Sequence, residues 1–249
     1  MDAYRILLSC IDLTTLEGSD NTEKIVQLCR KALSYGEQGL PLPAAVCIYP
    51  PFVRLAKKEL SGTGIRVAAV AGAFPSGQSP LQVRVQEVLY TVQEGADEID
   101  MVISRGRLLE GDEGYVFDEI AAIREAAREL HLKVILETGE LGIPGLIRRA
   151  SEIAIAAGAD FIKTSTGKIQ PAATEEAMEI MLEVIRDHHA KTSRKIGIKP
   201  AGGISTPDQA LLYYQLTEKI LGTAWLDREH FRIGASRLAD ALAKEIVSH

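Results

Sequence analysis

Phe161-Ile162-Lys163-Thr164-Ser165-Thr166-Gly167-Lys168 begins apolar and turns abruptly polar, directly behind a Gly158-Ala159-Asp160 corner. The pattern is a short buried strand with a lysine at its C-terminal end. Stripping water from an ammonium is costly. A lysine held there tends to lose its proton, and a neutral amine is a nucleophile. The plainer alternative is that Lys163 reaches out to solvent or pairs with a carboxylate. A second stretch, Lys195-Ile196-Gly197-Ile198-Lys199-Pro200-Ala201-Gly202-Gly203-Ile204, has the same grammar. If the two are consecutive parallel strands, Lys163 and Lys199 face each other at one level. Two ammoniums that close repel, so at least one pKa falls. That is a route to an amine that attacks carbonyls at neutral pH.

Outward from these stretches, strand and helix signals alternate. Strands are expected at Ile11 to Leu13, Ala45 to Tyr49, Val67 to Val70, Ile99 to Ile103, Val134 to Glu137, Phe161 to Thr164, Ile196 to Lys199 and Phe231 to Gly234. Helical spacing lies between them, at Glu23 to Leu33, Phe52 to Leu60, Leu81 to Glu94, Val116 to Leu130, Pro144 to Ala157, Glu175 to His188, Pro207 to Leu221 and Arg237 to Val247. Thr174 and Thr206 are expected N-caps, and Gly95 and Gly158 helix stops. The corner Gly95-Ala96-Asp97-Glu98-Ile99 echoes Gly158 to Ile162. Met1 to Cys10 either extends the first strand or forms a short helix closing the barrel floor. Eight βα units, mostly apolar on both strand faces, in 249 residues without a long linker predict a single-domain TIM (β/α)8 barrel of the α/β class.

Composition removes other classes. The net charge is −6, and no basic stripe with interleaved aromatics exists, so nucleic acid is not an expected partner. No apolar run approaches the roughly 18 residues of a membrane span. The start lacks a signal-peptide pattern. Cys10, Cys29 and Cys47 fit free thiols in a reducing, cytoplasmic setting. Neither GxGxxG nor GxxxxGK[ST] is present. His188 and His189 are adjacent on a helix and read as a solvated face. His131, His230 and His249 are scattered, so no metal site and no cofactor are expected. No Ser-His-Asp or Cys-His arrangement is evident, and Cys47 reads as core more than nucleophile.

In such a barrel the chemistry gathers at the C-terminal strand ends. Those ends carry Asp12, Thr14 and Thr15, then Cys47, Asp100, Glu137, Lys163, Lys199 and Gly234 to Ser236. Asp100 is an acid in an otherwise apolar strand. It is a counter-ion for a lysine, a proton shuttle, or both. Gly167, Gly202, Gly203 and Gly234 cluster after the last three strands. Bare amides in tight turns near helix N-termini bind anions, and Lys168 adds charge. Each glycine alone also reads as an ordinary turn.

These motifs together resemble the deoxyribose-phosphate aldolases. The resemblance rests on Asp12-Leu13-Thr14-Thr15-Leu16, Cys47-Ile48-Tyr49-Pro50, Glu98-Ile99-Asp100, Glu137-Thr138-Gly139-Glu140, Phe161 to Lys168, Gly197 to Ile204 and Gly234-Ala235-Ser236. It implies a class I aldolase that cleaves 2-deoxy-D-ribose 5-phosphate to acetaldehyde and D-glyceraldehyde 3-phosphate. Lys163 would form the Schiff base, Lys199 would lower its pKa, and Asp100 would assist proton transfer. Asp12, Thr14, Cys47, Thr166, Gly167, Lys168, Gly202, Gly203, Gly234 and Ser236 would contact substrate. Expected partners are the phosphosugar, its aldehydes and further copies of the chain. Three departures stand out. Ser205 and Arg237 occupy positions where the family can carry arginine and serine, Ala73 precedes Phe74 in place of asparagine, and the sequence ends at His249 without a tyrosine-ended tail. The rival readings are another Schiff-base phosphosugar enzyme, such as a transaldolase-like barrel, and a non-catalytic phosphosugar-binding module. The latter is expected to have lost one lysine or Asp100.

Overall fold

A computed structural model describes residues 2–248. Eight parallel strands run β1 (Ile11–Thr14), β2 (Ala45–Ile48), β3 (Arg66–Val70), β4 (Glu98–Val102), β5 (His131–Ile135), β6 (Phe161–Lys163), β7 (Gly197–Lys199) and β8 (Ile233–Ala235). β1 to β7 each pair with their neighbour in sequence, and β8 pairs with β1. The β7–β8 edge closes through Ile198 N–H to His230, Arg232 N–H to Ile198 and Gly234 N–H to Pro200. The result is a TIM barrel, as the alternation of elements predicts.

The outer layer holds α1 (Asp2–Ser9), α2 (Thr22–Glu37), α3 (Val53–Glu59), α4 (Leu81–Gln93), α5 (Arg105–Leu109), α6 (Glu113–Ala127), α7 (Thr138–Leu141), α8 (Pro144–Ala156), α9 (Glu175–Thr192), α10 (Pro207–Leu221) and α11 (Leu238–Ser248). The N-terminal segment takes the helical alternative. α1 packs on α10 and α11 and buries Leu7 and Leu8. The caps form where hydroxyls precede the helices. Thr174 accepts from Ala177 N–H, and Thr206 closes a capping box with Gln209. One expectation fails at α9: His188 and His189 are half-buried, and His189 packs edge-on against Trp225 with ring centroids 4.9 Å apart.

The repeated Gly-Ala-Asp corner has a physical basis. Asp97 accepts from Val67 N–H at the start of β3 and binds Lys57 of α3. Asp160 accepts from Leu132 N–H at the start of β5 and binds Arg124 of α6. In both, the aspartate ties a new strand to the preceding strand and to the helix that leads into that preceding strand. The glycine supplies the left-handed stop, with φ 94° at Gly95 and 104° at Gly158.

Strand residues two apart share a face. Outward positions such as Val67, Ala69, Ile99, Met101, Leu132 and Val134 meet the helices in one large core. Inward, the barrel is divided. Ala45, Cys47, Ala68 and Val70 of β2 and β3 form a small apolar cluster with Leu16. Asp12, Glu98, Asp100, Lys133, Lys163, Lys199 and Arg232 are buried charged groups of the rest of the interior, beside apolar Val102, Ile135 and Phe161. The interior is therefore less apolar than the strand runs alone suggest.

Candidate active site

The register places Lys163 directly beside Lys199. Both ammoniums donate to the same oxygen of Asp100, Lys163 at 2.9 Å and Lys199 at 2.7 Å. The other Asp100 oxygen accepts from Lys133 at 2.8 Å. Lys199 also donates to Asp12. The pairing alternative for Lys163 therefore holds, and Asp100 is a counter-ion to three lysines at once.

Burial pulls the Lys163 amine below the usual lysine range, Asp100 opposes this and Lys199 adds to it. Burial would lower Lys199 too, but Asp100 and Asp12 reverse the balance and hold it above the usual range. Two adjacent lysines thus part: one is drawn toward the neutral form and one is fixed as a cation. Burial alone would raise Asp100, but Lys133, Lys163 and Lys199 hold it well below the carboxylate range.

A cleft of about 570 Å³ opens over Lys163. Thr14, Thr166, Gly167, Lys168, Gly202, Gly203, Gly234 and Ser236 line it, together with Ser205 and Arg237. Lys199 and Asp100 lie behind it. Asp12 and Cys47, expected at the substrate, do not line the cleft: both are fully buried. Asp12 is committed to Lys199 and Arg232, and Cys47 belongs to the apolar cluster. Burial pushes the Cys47 thiol up, which keeps it protonated.

The glycine end of the cleft is built for an anion. Among the described residues, the amides of Gly202, Gly203 and Ser236 have no hydrogen-bond partner within the chain. Gly202 has φ 84°, and a Cβ there would lie 2.6 Å from that of Ala172. Gly234 is bare for a different reason. A Cβ would lie 3.0 Å from that of Ala201 and 3.3 Å from Lys199 Cε, so this glycine makes room for the end of β7 and its lysine stem. Ser205 N–H is used by Gln209 in the α10 cap. Arg237 is exposed on the cleft wall, and Lys168 reaches across to Glu17 at 3.0 Å.

Four residues with defined places here carried no assigned role in the sequence reading. Glu98, Lys133 and Arg232 join Asp12 and Asp100 in the ionic cluster, with Lys133 on Glu98 at 2.5 Å and Arg232 on Glu98 at 2.7 Å. The period-two face shared by Glu98 and Asp100 was the signal for the first. The fourth is Glu137, which accepts from Thr166 N–H at 3.1 Å and from the Thr166 hydroxyl at 2.5 Å. The same hydroxyl accepts from Lys168 N–H at 3.1 Å. Thr166 thus holds the Gly167–Lys168 turn in place. Glu137 itself sits in the left-handed region at φ 57°, ψ 57°.

Fold and site together define a (β/α)8-barrel enzyme with its polar centre at the C-terminal mouth. The pattern of the DeoC/LacD family aldolases matches residues 6–220, and the chain belongs to this family. The human deoxyribose-phosphate aldolase is 45% identical over 96% of this chain and 79% of its own length. A putative deoxyribose-phosphate aldolase of Caenorhabditis elegans is 44% identical over 98% of this chain and 81% of its own. Among solved structures, a putative deoxyribose-phosphate aldolase from Coccidioides immitis superposes with TM-score 0.83 at 31% identity, covering 98% of this chain and 87% of that one. Triosephosphate isomerase from Bartonella henselae, at 13% identity and TM-score 0.59, covers 97% of this chain and 100% of that one and shares the fold alone.

Proposed function

We propose that the chain is a class I aldolase that reversibly cleaves 2-deoxy-D-ribose 5-phosphate to D-glyceraldehyde 3-phosphate and acetaldehyde. The observation that carries the reading is Lys163, a buried lysine drawn toward the neutral amine, opening onto a cleft whose far end offers unpaired amides. The neutral Lys163 Nζ attacks the sugar aldehyde, and loss of water gives a protonated imine. A base takes the proton of the C3 hydroxyl, and the C2–C3 bonding electrons flow into the imine. The glyceraldehyde phosphate leaves and an enamine remains. Protonation of the enamine carbon and hydrolysis then release acetaldehyde. The imine is the electron sink, so no metal is required by this route.

Lys199 acts as a fixed cation that disfavours protonation of Lys163. Asp100, on both ammoniums, relays protons with water. Thr14, Gly167, Lys168, Gly202, Gly203 and Ser236 hold the substrate, with the phosphate against the free amides and the helix N-terminus of α11. Asp12 and Cys47 serve the site from behind the cleft, and Thr166 and Gly234 shape its wall. Three buried free thiols fit a reducing cytoplasm. Exposed Val83 and Tyr90 on α4 and Phe117 on the neighbouring α6 fit assembly with further copies.

The test is borohydride reduction in the presence of acetaldehyde, followed by peptide mapping. One ethyl group is expected on the peptide containing Lys163. Labelling of Lys199 or Lys168 instead rejects the assignment. Absence of acetaldehyde-dependent labelling, with trapping by another phosphosugar, points to a transaldolase-like enzyme. Activity lost to a chelator and restored by zinc rejects the imine route.

A further inference from the structure

The buried charges of the barrel core form a closed circuit. Arg232 bridges Asp12 at 2.6 Å and Glu98 at 2.7 Å. Lys133 bridges Glu98 at 2.5 Å and Asp100 at 2.8 Å. Lys199 bridges Asp100 at 2.7 Å and returns to Asp12. Three carboxylates and three cations therefore alternate around a ring of zero net charge. All six are fully buried. Lys163 is the seventh charge. Among the described residues its one ion-pair partner is Asp100, through an oxygen that Lys199 already shares.

We propose that Lys133 and Arg232 are positioning residues for the aldolase reaction: by neutralising the interior carboxylates in this ring, they leave Lys163 as the one surplus cation of the core. The inference rests on Lys163 being the nucleophile. A buried ammonium without a carboxylate of its own has lost its hydration and gained little in return. Shedding its proton leaves the core neutral. On this account Lys199 is one of three equivalent members of the ring, and its proximity to Lys163 is only part of its effect.

The remaining charged groups around the ring do not upset the count. Arg66 touches Glu98 at 3.0 Å from the floor but is itself paired with Glu229. His131 lies beside Glu98, and burial lowers its pKa. The Cys47 thiol stays protonated because it is buried. On the cleft side, Lys168 is paired with Glu17 and Lys24 with Asp20, and Arg237 stands in solvent.

The ring makes opposite predictions for its two signs. The reaction of Lys163 with 2,4-pentanedione, which captures a neutral amine as an enaminone, gives its apparent pKa without any phosphosugar. Lys133→Met leaves the ring one negative charge in excess. The pKa of Lys163 should then rise by about a unit or more, a roughly tenfold slower reaction at a fixed pH below it. Glu98→Gln leaves one positive charge in excess and should lower the pKa. The double variant Glu98→Gln/Lys133→Met restores neutrality and should return it toward wild type. Circular dichroism establishes which variants fold. If Lys133→Met does not, Glu98→Gln should still lower the pKa and the double variant should bring it back toward wild type. Wild-type labelling at Lys163 with no movement in the variants, or movement in the same direction in both single variants, overturns the ring alone. Failure to label Lys163 in wild type overturns the nucleophile assignment and this proposal with it.

Discussion

The two sides of the barrel interior are built from different chemistry on the same scaffold. β2 and β3 present Ala45, Cys47, Ala68 and Val70, small and dry, under the Tyr49 and Phe74 rings at the mouth. The wall from β4 round to β1 presents carboxylates and cations, each held by at least one opposite charge. Lys163 rises from β6 of the ionic wall, and its amine also feels Cys47 of the dry side. The dry side withholds water from its amine, and the ionic side offers it no carboxylate of its own. Burial alone is costly and draws a lysine toward the neutral amine, and close pairing fixes it as a cation, which is the fate of Lys199. A reactive amine needs the boundary.

The sharpest way to break this comparison is to remove the boundary residue. Lys163→Met should abolish acetaldehyde trapping and depress cleavage by roughly a thousandfold or more. Residual trapping elsewhere would show that another lysine shares the role. Next comes the ionic wall. Asp100→Asn leaves Lys133, Lys163 and Lys199 facing a neutral amide, and breaking buried pairs in this way costs about 3–5 kcal/mol. Denaturant unfolding should show that loss, and a change below about 1 kcal/mol would mean that water replaces the carboxylate. The dry wall should respond differently. Val70→Ala deletes two methyl groups from a buried site and should cost about 2 kcal/mol. It changes no charge, so the pH dependence of Lys163 trapping should not move. A shift there would mean that packing, and not charge alone, sets the amine. The smallest effect lies outside both walls. Ser236→Asp places a like charge where the phosphate is expected, worth about 1–2 kcal/mol at a helix N-terminus. It should lower kcat/KM about tenfold for the phosphorylated sugar relative to unphosphorylated 2-deoxyribose. An equal loss for both substrates would move the phosphate toward Lys168 or Arg237.

The barrel was legible because helix stops, caps and apolar strands recur in order. The facing of Lys163 and Lys199 was legible because each ends a strand before a polar turn. Lys133 and Arg232 were hidden by single-residue context. His131-Leu132-Lys133 precedes the apolar run that announces β5, and Arg232 is flanked by Phe231 and Ile233. Each reads as an ordinary surface residue until the neighbouring strand shows which way it points. Glu98 was accessible, since it lies two residues before Asp100 and must share its face. The full burial of Asp12 and Cys47 was not legible, because a strand-end residue reads alike whether it opens on the cleft or lies in the core below. No local pattern announced the left-handed backbone at Glu137.

That residue sets a limit for anyone reshaping the enzyme. A non-glycine residue in the left-handed region costs on the order of 1–2 kcal/mol. Glycine and asparagine accept this conformation easily, but neither can reach Thr166 with two acceptor oxygens. Glutamine has the reach, keeps the strained backbone and gives up one acceptor. None of these substitutions satisfies both demands. A screen for heat resistance that admits Glu137→Gly or Glu137→Asn would select a relaxed backbone together with a Lys168 turn released from its anchor. Libraries aimed at hardier or broader aldolases should hold this position constant and vary the cleft wall instead.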